Sequence, residues 1–208
     1  MKLFKLLPLV LLSVVVTACG PAKKPLSIEA RQSLKTVSIT SEVEMPEDFW
    51  FNSKTQTVAS NFGLIGALVG ESSAESSKVA INQAMENHDV SIPQIVYSAF
   101  RNEMAKHTPF KPLKDGSDSD ANMELTVFSY GFSAEGLSSK FRPILSVVAE
   151  MKNDEGDVIW RNKGTVTALT SDNNAKYTYE QMLTSPDVLR EMIQSAANRA
   201  ASNAMANL

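Results

Sequence analysis

The side chains that most often carry catalysis are thinly spread here: two histidines and one cysteine in 208 residues. His88 stands in Asn87-His88-Asp89, just before a helix-start signal, and His107 follows a helical run. A protonated imidazole at a helix C-terminus complements the helix dipole, which gives His107 a structural role. Neither histidine belongs to an H-E-x-x-H pattern, so zinc would need carboxylates gathered from distant places. Asp115, Asp118 and Asp120 suggest calcium by type, but an EF-hand loop puts glycine after the third acid, and Gly116 comes too early. A solvated turn fits better. No G-x-S-x-G is present, so no serine is marked as a nucleophile. In N-F-G-L-I-G-A-L-V-G the glycines Gly63, Gly66 and Gly70 are followed by Glu71 and Ser72. A phosphate-binding loop requires G-x-x-x-x-G-K-[ST], which this is not. The expectation is a protein with no cofactor, no metal and no enzymatic activity.

Cys19 remains. Ahead of it, Lys2 and Lys5 form a positive start, residues 6–16 are apolar except for Pro8 and Ser13, and small Thr17 and Ala18 follow. This is the layout of a secretory signal, too short for a transmembrane helix of ~20 apolar residues. The stretch V-T-A-C resembles a bacterial lipobox. That resemblance implies a diacylglyceryl group on Cys19, cleavage before it, and acylation (typically palmitate) of the new N-terminus. Gly20 replaces the aspartate that signals inner-membrane retention, so the same resemblance implies the inner leaflet of the outer membrane, with the domain in the periplasm. With its one thiol lipidated, the mature chain can form no disulfide and depends on its core.

Removing residues 1–18 takes away two lysines, leaving 18 basic residues against 23 acids, a formal charge of −5. That mild acidity speaks against nucleic acid, whose binding calls for a basic patch. The organisation expected is a signal peptide at 1–18, a lipidated tether at 19–33, and a single α+β domain at 34–208. A glycine-rich apolar insertion interrupts that domain near 52–78.

Within the domain, residues 34–45 alternate Val37, Ile39, Val43 and Met45 with polar partners, the period of a half-buried strand. Phe49, Trp50 and Phe51 follow as an aromatic cluster. Residues 79–86 have helical spacing. Ser91, Pro93 and Gln94 then open a second helix that aligns Val96, Phe100 and Met104 on one face. A short strand at 110–113 and three longer ones at 122–132, 144–151 and 157–167 come next. The turn Asn153-Asp154-Glu155-Gly156-Asp157 links the last two. Ser185-Pro186-Asp187 begins a closing helix whose Leu189, Met192, Ile193, Ala196, Ala197, Ala200 and Ala204 share one side. The fold class expected is an α+β sandwich: an antiparallel or mixed sheet of about four to five strands, with helices on one face.

This succession, with S-V-V-A-E-M-K-N-D-E-G-D-V-I-W-R at its centre, resembles small envelope lipoproteins. They share the fold of the curli-secretion lipoprotein, the penicillin-binding-protein activator lipoprotein and the TolB N-terminal domain. The segment 61–70 is also similar to a glycine-rich insertion in some proteobacterial lipoproteins. A non-enzymatic envelope protein that binds a protein partner or itself is therefore expected. Its contact candidates are Phe49, Trp50 and Phe51, together with Phe62, Gly63, Leu64, Ile65, Gly66, Leu68, Val69 and Gly70. Gly66 and Gly70 are a small-xxx-small pair, which lets helices approach in lipid. An oligomeric outer-membrane assembly and a periplasmic lipid carrier are the alternatives.

Overall fold

The β-branched, alternating segments pair into one sheet, and the two amphipathic helices close over a single face of it. The computed structural model describes residues 21–47, 49–52, 71–106, 110–113, 115–116, 118–134 and 139–208. In chain order the elements are α1 (Ile28–Ser33), β1 (Thr36–Glu44), β2 (Trp50–Asn52), α2 (Glu71–Asn87), α3 (Ile92–Met104), β3 (Lys111–Leu113) and β4 (Ala121–Ala134). After these come β5 (Lys140–Lys152), β6 (Val158–Val166), β7 (Tyr177–Thr178), α4 (Tyr179–Thr184) and α5 (Pro186–Met205).

The sheet is mixed, in the order β3-β1-β4-β5-β6, with β1 parallel to both neighbours and β4, β5 and β6 an antiparallel meander. It has seven strands rather than four or five. The excess comes from β2, which pairs with β4 beyond the end of β1, and β7, which pairs with β5 beyond β6. The sheet is thus five positions wide, with two positions broken. Met45-Pro46 causes one break, because proline cannot donate to a ladder.

Helix α3 starts as its residues dictate: Ser91 Oγ accepts from the Gln94 amide at 3.4 Å, with Pro93 in the first turn. Val96, Phe100 and Met104 are fully buried. Helix α5 buries all seven residues assigned to its inner side. Its alanines bring its backbone down on β6, where Asn162 Nδ2 donates to Ala204 O at 2.6 Å and Asn203 Nδ2 to Thr165 O at 3.2 Å. A carbonyl near the helix end thereby gains a partner in a place water does not reach. Helix α2 begins at Glu71, eight residues before the apolar spacing starts, and among its described side chains Ile81, Ala84 and Met85 are the buried ones. Helix α4, unforeseen in the sequence, has a capping box in which Thr178 and Gln181 satisfy one another's amides.

Residues 21–33, expected as tether, include a docked part: Lys24 bridges to Arg161, Leu26 is buried, and α1 follows. The turn at 153–157 closes as expected, with the Gly156 amide on Asn153 O at 2.9 Å and the Asp157 amide on Asn153 Oδ1 at 2.8 Å.

Two of the three loop aspartates serve as clamps. Asp120 Oδ2 accepts from the amides of Lys35 and Thr36 at 2.8 Å each and from Thr36 Oγ1 at 2.9 Å. Asp115 Oδ2 accepts from the Ser41 amide at 2.9 Å and its hydroxyl at 2.7 Å. Ser41 lies where the β1 register with β4 shifts, so the carboxylate serves an amide the ladder leaves out. The backbone amides, Lys35 before Thr36 and Ser41 for Asp115, hold both carboxyls below their ordinary values. A depressed folded-state value means stability that is present above the unfolded value of about 3.9 and lost as pH falls through the folded one. The urea midpoint of the wild-type domain should therefore fall more steeply from pH 5 to pH 2.5 than that of Asp115→Asn/Asp120→Asn. Parallel pH profiles for the two proteins would contradict the clamp.

Candidate binding surface on the open face of the sheet

Alternation along β5 separates two environments. Phe141, Pro143, Leu145, Val147, Ala149 and Met151 are buried toward the helices, while Arg142, Ile144, Ser146, Val148, Glu150 and Lys152 point the other way. One end of that second face is polar and internally paired. Ser38 Oγ and Thr40 Oγ1 donate to Asn122 Oδ1 at 3.0 and 3.1 Å. Lys152 pairs with Glu124 and Arg161 with Glu150, both at 2.5 Å. Such half-exposed pairs contribute little to stability but set a polar surface.

Further along, this face becomes apolar. The β4–β5 register shifts between Val127 and Ser129, and the extra residue, Phe128, is 52% exposed with Lys163 Nζ at 4.7 Å from its ring centroid. Beside them Val148 is buried yet stands outside the main core cluster. It is paired across the strands with Thr126 and Lys163.

Beyond Phe128 an open groove of about 320 Å³ is lined by Trp50, Ser129, Ser133, Ile144, Thr165 and Leu169, among others. Trp50 is 44% exposed and Leu169 86%. Each wall has an identifiable support. Gly131, at φ +152°, is the partner of Trp50, and a Cβ there would lie 1.7 Å from Trp50 O; only glycine lets β2 come this close. Leu169 sits in a turn closed by the Thr170 amide on Thr167 O at 3.1 Å and the Thr167 amide on Thr170 Oγ1 at 2.9 Å. Asn173 fastens that loop to β5, donating from Nδ2 to Pro143 O at 2.8 Å and Thr167 O at 3.0 Å. Arg142 completes the attachment through Asn173 O at 2.8 Å.

The aromatic cluster divides according to strand period. Phe49 and Phe51 are buried on the helix side. Phe49 lies 5.5 Å from Tyr130 and 5.8 Å from Phe132, and Phe51 stacks on Phe141 at 5.0 Å, measured between ring centroids. Trp50, between them, faces outward. Phe62, Gly63, Leu64, Ile65, Gly66, Leu68, Val69 and Gly70 lie outside the described residues, as do Cys19 and His107. His88 is half-buried; its amide donates to Ala84 O at 3.2 Å and its carbonyl accepts from Arg190 at 3.3 Å. Among the described residues no group of three or more His, Cys, Asp or Glu is gathered that could hold a metal ion. Nor is any helix among them long and apolar enough to cross a membrane.

Phe128, Ile144, Lys163 and Leu169 are surface residues that sequence reasoning passed over. Only the adjacent pair Val127-Phe128 left a trace, a break in the alternation that marks a bulge.

No family model and no curated protein matches this chain. Among solved structures it is similar to a protein of the DUF330 family model from Xanthomonas campestris, at 9% identity and a TM-score of 0.36, over 88% of this chain and 86% of that one. It is also similar to a candidate lipoprotein from Caulobacter crescentus, at 17% identity and a TM-score of 0.31, over 53% and 74% of the respective chains. A PelC dodecamer from Paraburkholderia phytofirmans matches at 10% identity with a TM-score of 0.27, over 80% and 86%. None of these reaches a TM-score of 0.5, so the functional reading rests on this chain's own residues.

Proposed function

We propose that this chain is a non-enzymatic, lipid-anchored envelope protein that binds a protein partner through the open face of its sheet. In this reading Cys19 holds the acyl chains in the inner leaflet of the outer membrane, and the domain stands in the periplasm. The observation that carries the binding role is Trp50. It is 44% exposed at the rim of the groove, opposite Leu169, while both flanking phenylalanines are buried. Exposed apolar patches framed by polar residues mark interaction sites, and tryptophan is enriched among the residues that dominate binding energy. Between the helices and the sheet, by contrast, the space lined by Ile92, Phe132, Leu145 and Ile193 is about 10 Å³. That is room for roughly one water, far below the ~300 Å³ of a small-molecule site, so this part of the interior does not support a lipid carrier.

Photo-crosslinking in intact cells tests the reading. A benzophenone side chain at position 50 or 169 should capture the same envelope protein, and one at Asn198, exposed on α5, should not. A crosslinked species of twice the chain mass would assign the face to self-association. Capture from Asn198 alone, or uncrosslinked monomer at all three positions, would remove the face from consideration.

A further inference from the structure

Chain length between the lipobox cysteine and the domain restricts how the domain can sit on a membrane. The described chain begins at Pro21, two residues past Cys19, and at Lys24 it is already fastened. The Lys24 amide donates to Arg161 O at 2.9 Å, and the Arg161 amide donates to Lys24 O at 2.8 Å, on β6. The Lys24 ammonium adds a bond to Val158 O. Leu26 and Leu34 are buried on either side of α1, which is capped by Ser27 and reaches Asn207 O through Arg31 at 3.5 Å.

Five residue steps separate Cys19 from this fixed point, at most ~17 Å of extended chain. A domain of this size has a radius of gyration of about 16 Å and is about 40 Å across. The leash is less than half that width. A domain so tethered cannot turn an arbitrary side to the bilayer.

The side within reach is mixed in chemistry. Lys23 and Lys24 are exposed cations, and Ile28 is 71% exposed on α1. Exposed acids share this side, Glu29 next to Ile28 and Asp154, Glu155 and Asp157 in the turn before Val158. The short leash, with Ile28 as an apolar contact, therefore carries the orientation rather than net charge. We propose that residues 21–33 and the adjoining edge of β6 form a membrane-facing surface, whose occupant is the phospholipid headgroup layer holding the acyl chains of Cys19. This rests on the reading of Cys19 as lipidated. It has a consequence for the groove. From Glu150, paired with Arg161, to Ile144 at the groove is six residues of β5, ~20 Å of strand. Trp50 is thereby set apart from the lipid-facing edge.

Full-length lipidated protein in phosphatidylethanolamine–phosphatidylglycerol vesicles with a headgroup spin label provides the test. Trp50 and Trp160, the two native tryptophans, report the groove and the core. Trp160, next to Arg161 on β6, is a background common to every variant. Trp50→Phe alone should leave the quenching nearly unchanged, whereas adding Ile28→Trp to it should raise the quenching severalfold. A long Gly/Ser spacer inserted between Gly20 and Pro21 should abolish the difference. Equal quenching at positions 28 and 50, in protein that floats with the vesicles, overturns the orientation while leaving the anchor intact. Failure to float overturns the anchor, and the orientation with it.

Discussion

Replacing Gly164 with alanine should destabilise the domain by about 3 kcal/mol or more, at the upper end of overpacking changes. A Cβ at this position would lie 1.8 Å from the carbonyl oxygen of Ala200 and 2.6 Å from its carbonyl carbon. Both are backbone atoms of α5, so no rotamer change can relieve the clash. The helix cannot easily withdraw either, because Ala196, Ala197, Ala200, Ala201 and Ala204 are buried and two asparagine side chains, those of Asn162 and Asn203, bond it to β6. For a domain of this length the penalty corresponds to a melting-point drop of about 6–12 °C. Urea unfolding of the mature domain measures it. The double variant Gly164→Ala/Ala200→Gly should recover nothing, since the obstructing atoms belong to the backbone. A loss below about 1 kcal/mol, or recovery in the double variant, would mean that α5 does not lie on Gly164 in solution. The contact also bears on binding, because the next residue of β6, Thr165, lines the groove.

That close approach was partly legible in the sequence, and the part that was legible shows where sequence reading reaches its limit. Four alanines on one side of α5 announce a helix that can lie close, but nothing local says that Gly164 is what they lie on. The same divide runs through the fold. Ser91 and Pro93 start α3 and the alternation in β4 and β5 makes strands, because capping and period are properties of a few consecutive residues. Strand neighbours are set by contacts between distant residues, which is why the parallel pairing of β1 with β4 and the break that creates β7 left no local mark, whereas Pro46 marks where β1 stops but not that β2 rejoins β4. Phe49, Trp50 and Phe51 make the point at the site. Their composition marks a cluster, and strand period says that one or two of them face away from the others. Only the register of Trp50 on Gly131 decides which. The groove itself joins β2, β4, β5, β6 and the loop held by Asn173, so it exists only once the chain has folded.

On the proposed lipidation of Cys19, its replacement should have the largest effect on where the protein resides, and two variants are needed to read it. Cys19→Ala should lose all incorporation of labelled palmitate, because no other thiol exists in the chain. It should nevertheless stay with membranes, since an uncleaved signal keeps the apolar residues 6–16 attached to the domain. The informative variant exchanges residues 1–19 for a signal cleaved before Gly20. Each acyl chain contributes about 0.8 kcal/mol per buried methylene, and two or three chains hold a protein where one gives only reversible binding. Without them, attachment has to come from the domain. Among the described residues no helix can span a bilayer, and the exposed apolar residues amount to Ile28 on α1 and the small patch around the groove, where Trp50 and Leu169 lie close to Phe128. The variant should therefore move almost entirely into the soluble periplasmic fraction, with an unchanged unfolding midpoint. Retention in the membrane fraction despite the missing cysteine would transfer the anchoring to a bound partner or to the chain's own apolar segments. Washing at high salt and at alkaline pH separates those two cases, because a protein partner releases the chain and inserted apolar residues do not.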